Sequence, residues 1–223
     1  MHKSADIFLE RTNNITPDIA VILGSGLTNF FDEKNITNLK LQSLAGILNA
    51  QKINNEIISV NMGRLSHHWE DIPLTREVDT LNMPIQLENF TSGVAVNVGN
   101  PHIVFFIDNL DKVDMNKIGP KIEHNSLFPE RINVEICQIL DKNKIRSKIW
   151  ERGVGLTLAC GSGACAVLVA ACKEKLTGNK AKVLLDGGSL EICWNYSSDK
   201  HVIMSGPTSV SFLGDFSSLG DMK

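Results

Sequence analysis

Apolar and polar positions alternate along this chain in two registers, and the registers separate strands from helices. From Leu39 to Gly46 the sequence LKLQSLAG alternates with period two, and after a polar turn at 51–54 the run EIISVNMG at 56–63 does so again, which predicts a hairpin over 41–63. Short apolar or alternating runs at 93–98, 103–107, 134–139, 145–152, 183–186, 190–194 and 202–205 predict further strands, while 114–124 suits a helix. The segment 163–176 differs from all of these, because ACAVLVAAC is apolar on every face of a helix. A helix of that kind has to be enclosed. The order of elements therefore predicts an α/β fold of α+β type, in which a mixed sheet wraps a central helix over about residues 81–206. Near the start, Ser4 to Arg11 suits a helix, and the strand run 19–23 ends in the glycine turn Gly24-Ser25-Gly26.

Composition narrows the possible functions. At 43% apolar and 21% charged the chain is ordinary globular protein, and a net charge of −3 with both signs interspersed leaves no basic stripe for nucleic acid. Neither a signal-peptide core nor an apolar run near the ~20 residues of a membrane span is present, so no membrane partner and a cytoplasmic location are expected. Five cysteines, an odd number without a CxxC pair, argue against a disulfide framework and against structural zinc. His67 and His68 are adjacent rather than aimed at one point, and are expected in a surface loop with no metal.

The chemistry concentrates in WERGVGLTLACGSGACA, from Trp150 to Ala166. Glu151 and Arg152 precede Cys160, which opens the apolar helix on the turn Gly161-Ser162-Gly163. A helix start offers unpaired N–H groups and the positive end of the dipole, a place for a carboxylate and an influence favouring a thiolate. Cys160 is the candidate nucleophile or base, and the amides of Gly161 and Ser162 are candidate carboxylate donors. Arginine suits a bidentate grip on a carboxylate, and glutamate an ammonium; a solvated ion pair is the plain alternative for Glu151 and Arg152. Cys165 and Cys172 lie seven residues apart on one helix face and are expected in the core.

ERGVG followed by LACGSGAC resembles the second catalytic-cysteine motif of the diaminopimelate epimerase family. NVGNPHIVFF at 97–106 and FPERINVE at 128–135 match that family in order and spacing, and SLAGILNAQ and MSGPTSVSF extend the likeness from about residue 39 to the C-terminus. The resemblance implies a bacterial lysine-biosynthesis isomerase that interconverts LL- and meso-2,6-diaminopimelate without a cofactor. In that family two cysteines on opposite faces of the α-carbon exchange protons. It implies Cys160 as one acid/base residue, Asn100, Asn133, Glu151 and Arg152 as substrate contacts with Gly161 and Ser162, and His102 close to the reacting site. A small-molecule substrate follows, and a homodimer is compatible. It also implies a division into 39–80 as part of the N-terminal domain, 81–206 as the C-terminal domain, and 207–223 as a strand returning to the N-terminal one. Leu156 departs from the family, which commonly has glutamate there.

Residues 1–38 stand outside this pattern and resemble the opening of purine nucleoside phosphorylases, with Thr28 where that family has glycine. The MCGNGxRC motif that carries the family's other catalytic cysteine is absent from the sequence. The expectation is thus one complete epimerase domain with part of a second, incomplete or inactive as this chain stands. A non-catalytic fragment that binds a diamino diacid or another chain is the alternative, and a phosphorylase fragment a remote one.

Overall fold

The helix α2, Gly161–Lys173, fixes the architecture. Every residue from Gly163 to Ala171 is buried, so no face is left for solvent and the sheet has to close around it. The computed structural model describes residues 37–43, 46–85, 90, 92–195 and 200–208. They form the strands β1 (Asn38–Ser43), β2 (Gly46–Lys52), β3 (Ile57–Arg64), β4 (Val94–Asn97), β5 (Pro101–Phe106), β6 (Asn133–Asp141), β7 (Lys144–Glu151), β8 (Gly155–Thr157), β9 (Lys180–Leu185), β10 (Gly188–Trp194) and β11 (His201–Pro207). A helix α1, Met115–Glu123, follows β5.

One sheet runs in the order β1-β2-β3-β11-β10-β9-β7-β6-β5-β4, with β8 on the side of β7. It is mixed: β5 with β6 and β7 with β9 are parallel, and the other pairs are antiparallel. Just past β3, Ser66 meets Asn97 of β4 in a reciprocal pair of backbone hydrogen bonds at 2.9 and 2.8 Å. That single pair brings the two ends of the run from β3 to β4 together, so the strands surround α2. The mixed sheet around a central helix is therefore present as the alternation predicted.

The period-two pattern gives the sheet two cores. Inward-facing Val94, Val96, Val104, Phe106, Cys137, Ile145, Val183, Ile192 and Val202 pack on α2. Their outward neighbours Ala95, Ile103, Phe105, Val134 and Ile136 pack under α1 and the segment carrying Ile72, Leu74 and Met83. Asp114 caps α1 by accepting from the Asn116 N–H at 3.1 Å. Gly119 lets α1 approach closely, since a Cβ there would lie 2.4 Å from the Trp150 ring.

The expected hairpin over 41–63 is a three-stranded meander instead. Gly46, at φ +117, opens β2 within what reads as one alternating run, so Asn38–Ser43 and Gly46–Lys52 are separate strands paired from Asn38↔Gln51 to Ser43↔Gly46. The α2 helix starts two residues earlier than the predicted 163 and ends at Lys173, three before the predicted limit. Cys165 is buried as expected, whereas Cys172 is only half-buried against the core. The predicted helix 4–11, the strand 19–23 with its glycine turn, and the return run after 208 lie outside the described residues.

Leu168 sits midway along α2 with no solvent exposure. Leu168→Ala should lower unfolding stability by about 2–5 kcal/mol, read from the urea midpoint at unchanged slope.

Candidate active site

Several of the buried polar residues gather at the head of α2. His102 leads β5, Asn133 and Glu135 lie on the same face of β6, and Glu151 ends β7; His102 and Glu135 are fully buried. Register explains the grouping. His102 pairs with Asn133, and Val104 with Glu135, so the inward faces of the two parallel strands place a histidine, an asparagine and a carboxylate side by side.

Cys160 is the N-cap residue of α2, with an extended backbone at φ −143 and ψ 120. Its carbonyl accepts from the Ala164 N–H at 3.0 Å, and its Sγ lies 3.4 Å from the Ser162 hydroxyl. The expected lowering of this thiol is not what the surroundings produce. Burial pushes Cys160 up to about 11, against the Ser162 hydroxyl and the Gly163 amide, and the charges of Glu135 and Glu151 add to the rise. At neutral pH Cys160 is a thiol. Gly161 and Gly163 leave room for their neighbours: a Cβ at 161 would lie 2.8 Å from Met204 Sδ, and one at 163 would lie 2.8 Å from Ile149 Cδ1 and 2.9 Å from Glu135 Oε1, so these side-chain ends would have to shift.

Glu151 and Arg152 do not pair with one another. The Arg152 amide donates to Asn133 Oδ1 at 2.9 Å, and its guanidinium donates to the Glu130 carbonyl at 3.1 Å. Asn133 in turn donates to the Pro101 carbonyl at 2.7 Å, so this buried asparagine ties β5 to the turn after β7. Asn100, half-buried, meets His102 Nε2 at 2.9 Å. Geometry thus links Asn100 with His102, and Asn133 with Arg152, while Gly161 and Ser162 stand with Cys160 at the helix start.

Two carboxylates that the motifs did not single out shape this region. Glu123, at the end of α1, accepts from the Trp150 indole N–H at 2.7 Å and the Gly153 amide at 2.9 Å, and so holds the turn that carries Glu151 and Arg152. Burial works to raise this carboxyl, but the two hydrogen bonds and nearby His124 and Arg131 outweigh it and leave it lowered. Glu135 Oε1 lies 2.7 Å from His102 Nδ1. Its place in VEICQIL was the available signal, since alternation puts a charge on the face shared with Asn133 and Cys137. Leu156 is 44% exposed on β8, between exposed Val154 and Leu158. His67 is half-buried with Nδ1 at the Ala95 carbonyl and His68 is paired with Glu70; among the described residues no three His, Cys, Asp or Glu side chains form a metal-binding group.

Residues 94–211 match the family model described as diaminopimelate epimerase. The chain belongs to the diaminopimelate epimerase family. The Rhodospirillum centenum diaminopimelate epimerase is 38% identical over 97% of the chain and 75% of its own length. Those of Erythrobacter litoralis and Zymomonas mobilis are 49% and 45% identical, covering 70% and 78% of the chain. The chain spans 58% and 64% of the length of these last two. Because the first match runs through 97% of the chain, the likeness of residues 1–38 to purine nucleoside phosphorylases is not borne out. The architecture recurs at low identity. A phenazine biosynthesis protein from Bacillus anthracis (TM-score 0.54, 15% identical) covers 87% of this chain and 76% of its own. A hydroxyproline epimerase from Agrobacterium vitis (TM-score 0.54, 12% identical) covers 81% and 62%.

Alkylation of Cys160 by iodoacetamide, followed by mass spectrometry of its peptide, should accelerate with pH to about 11 and not level off near 9. Glu123→Ala leaves the Trp150 and Gly153 donors without an acceptor, and should cost about 1–3 kcal/mol in urea denaturation.

Proposed function

We propose that this chain carries one half of the proton-transfer site of a diaminopimelate epimerase, with Cys160 as the acid/base residue on one face of the substrate's α-carbon. The observation that supports it most is a cysteine at the start of an enclosed helix, inside the family's motif, with Glu135 of β6 and Glu151 of β7 within electrostatic reach. An α-proton next to a carboxylate is weakly acidic, and a group that removes it has to be held against it while the developing charge is stabilised. The amides of Gly161 and Ser162 would hold the α-carboxylate, and Asn100, Asn133, Glu151 and Arg152 would orient the rest of the reacting centre with His102 close by. Cys160, held as a thiol, is set to give a proton; it takes one only in the fraction ionised.

Epimerisation needs a second group on the opposite face. No MCGNGxRC motif supplies it in this sequence. The alternative reading is a chain that binds a diamino diacid without inverting it. The division at about residues 39, 81 and 207, a cytoplasmic setting suited to free thiols, and a homodimer belong to the same reading. Among the described residues no helix is long and apolar enough to cross a membrane.

The test is incubation of the purified chain with each diaminopimelate stereoisomer in D2O, following deuterium uptake and configuration together. The expected outcome is no appreciable inversion, with slow α-hydrogen exchange in one stereoisomer that rises with pH and disappears in Cys160→Ser. Inversion that survives Cys160→Ser would overturn the role of Cys160.

A further inference from the structure

Glu135 takes no part in the proton transfer described above, yet it is fully buried beside the first turn of α2. Its Oε1 lies 2.7 Å from His102 Nδ1, and its Oε2 is buried with no hydrogen-bond partner. The other ring nitrogen, Nε2, lies 2.9 Å from Asn100 Oδ1. The three side chains form one chain of contacts, from the interior of the sheet to the half-buried loop before β5. Asn100 Nδ2, at its outer end, bonds no other described residue.

The protons along this chain follow from the cost of buried charge. A contact of 2.7 Å between Oε1 and Nδ1 contains one proton, on either the carboxyl or the ring. If the carboxyl holds it, the ring is neutral with Nδ1 accepting, and Nε2 carries N–H. If the ring holds it beside an ionised carboxylate, an imidazolium also has N–H at Nε2. Only an ionised Glu135 next to a neutral, Nδ1-protonated ring leaves Nε2 bare. That arrangement strands an uncompensated charge with an unpartnered oxygen at a site of no solvent exposure. The titratable groups facing Glu135 do not relieve it. His102 comes from β5, Glu151 from the end of β7 and Cys160 from α2, while Cys137 shares its own face of β6. Burial raises the Glu135 carboxyl, His102 opposes the rise and Glu151 adds to it.

We propose that Glu135 is a positioning residue that fixes His102 with its proton on Nε2, so that Asn100 turns its oxygen inward and presents its NH2 group to the substrate. An outward NH2 only donates. It selects a carboxylate or carbonyl oxygen at that point and rejects an ammonium, which assigns Asn100 to a carboxylate end of the diamino diacid. The assignment rests on the reading of Asn100 as a substrate contact; the state of His102 does not.

The experiment uses the full chain labelled with 15N-histidine. Long-range 1H–15N spectra identify the His102 signals by their loss in His102→Gln, and calorimetry measures diaminopimelate binding on the same samples. In the wild type, Nε2 should be protonated at neutral pH. Glu135→Gln supplies an N–H that can donate to Nδ1, as a carboxylic acid would, and should keep both the Nε2 proton and the affinity to within about twofold. Glu135→Leu fills the space without a polar partner. It should stay folded by circular dichroism, lose the fixed Nε2 proton, and bind diaminopimelate about tenfold more weakly. A bare Nε2 in the wild type or in Glu135→Gln overturns the proposal, as does Glu135→Leu with the Nε2 proton and affinity both retained. Should Glu135→Leu fail to fold, the wild type and Glu135→Gln decide alone. A wild-type chain that binds no diaminopimelate sinks the substrate reading above, and the Nε2 state still decides the role of Glu135.

Discussion

The arrangement of the described strands follows from having to enclose a helix that is apolar on all sides. Nine consecutive residues of α2, Gly163 to Ala171, are buried, and a flat sheet could cover only one side of such a cylinder. The sheet therefore curls, and its inner face becomes a closed apolar lining of Val94, Val104, Phe106, Ile145, Val183 and Ile192. Polar groups are excluded from that lining along most of its length. They collect where the helix begins, and there they bond one another and the backbone of β5 and of the turn after β7. His102, Asn133, Glu135 and Glu151 all lie toward this end, and Cys160 is at the cap.

Two opposing effects meet at Cys160. A helix N-terminus stabilises a negative charge by about 0.3–1 kcal/mol near the surface, enough to favour a thiolate modestly. Enclosure removes water from the same sulfur and sets two carboxylates, Glu135 and Glu151, within electrostatic reach. Desolvation is the larger effect, and the thiol keeps its proton. The same enclosure limits the side chains that fit: Gly161 and Gly163 leave Met204, Ile149 and Glu135 just enough room.

The outline of the fold was legible because period-two and all-round apolar patterns are direct signatures of a strand and an enclosed helix. β6, β7, β9, β10 and β11 fall within a few residues of the expected runs. What alternation does not encode is a glycine at φ +117 inside an alternating run, and so Gly46 split one expected strand into two. At the site, motif residues were legible as chemical types but not as partners. Arg152 next to Glu151 suggested a pair, yet the backbone turn sends its guanidinium to the Glu130 carbonyl. Glu123 and Glu135 act from other elements across the packed interior, at sequence distances of 30 and 33 from Gly153 and His102, and adjacency in sequence carries no trace of such contacts.

The pairing of Ser66 with Asn97 has a mechanical meaning. It is one residue pair wide, whereas β6 and β7 are joined along most of their length. Beside it the His67 ring meets the Ala95 carbonyl and the Asn97 side-chain amide donates to the Asp71 carbonyl, so this seam relies on side chains where the other seams have a backbone ladder. The pair joins the extension of β3, and with it the β1–β3 meander, to the strand that leads into Asn100 and His102. A load applied to the meander is therefore shared between the long ladder of β3 with β11 and this one pair, and the share that passes through the pair arrives at β4, next to the loop 98–100 on the rim of the site.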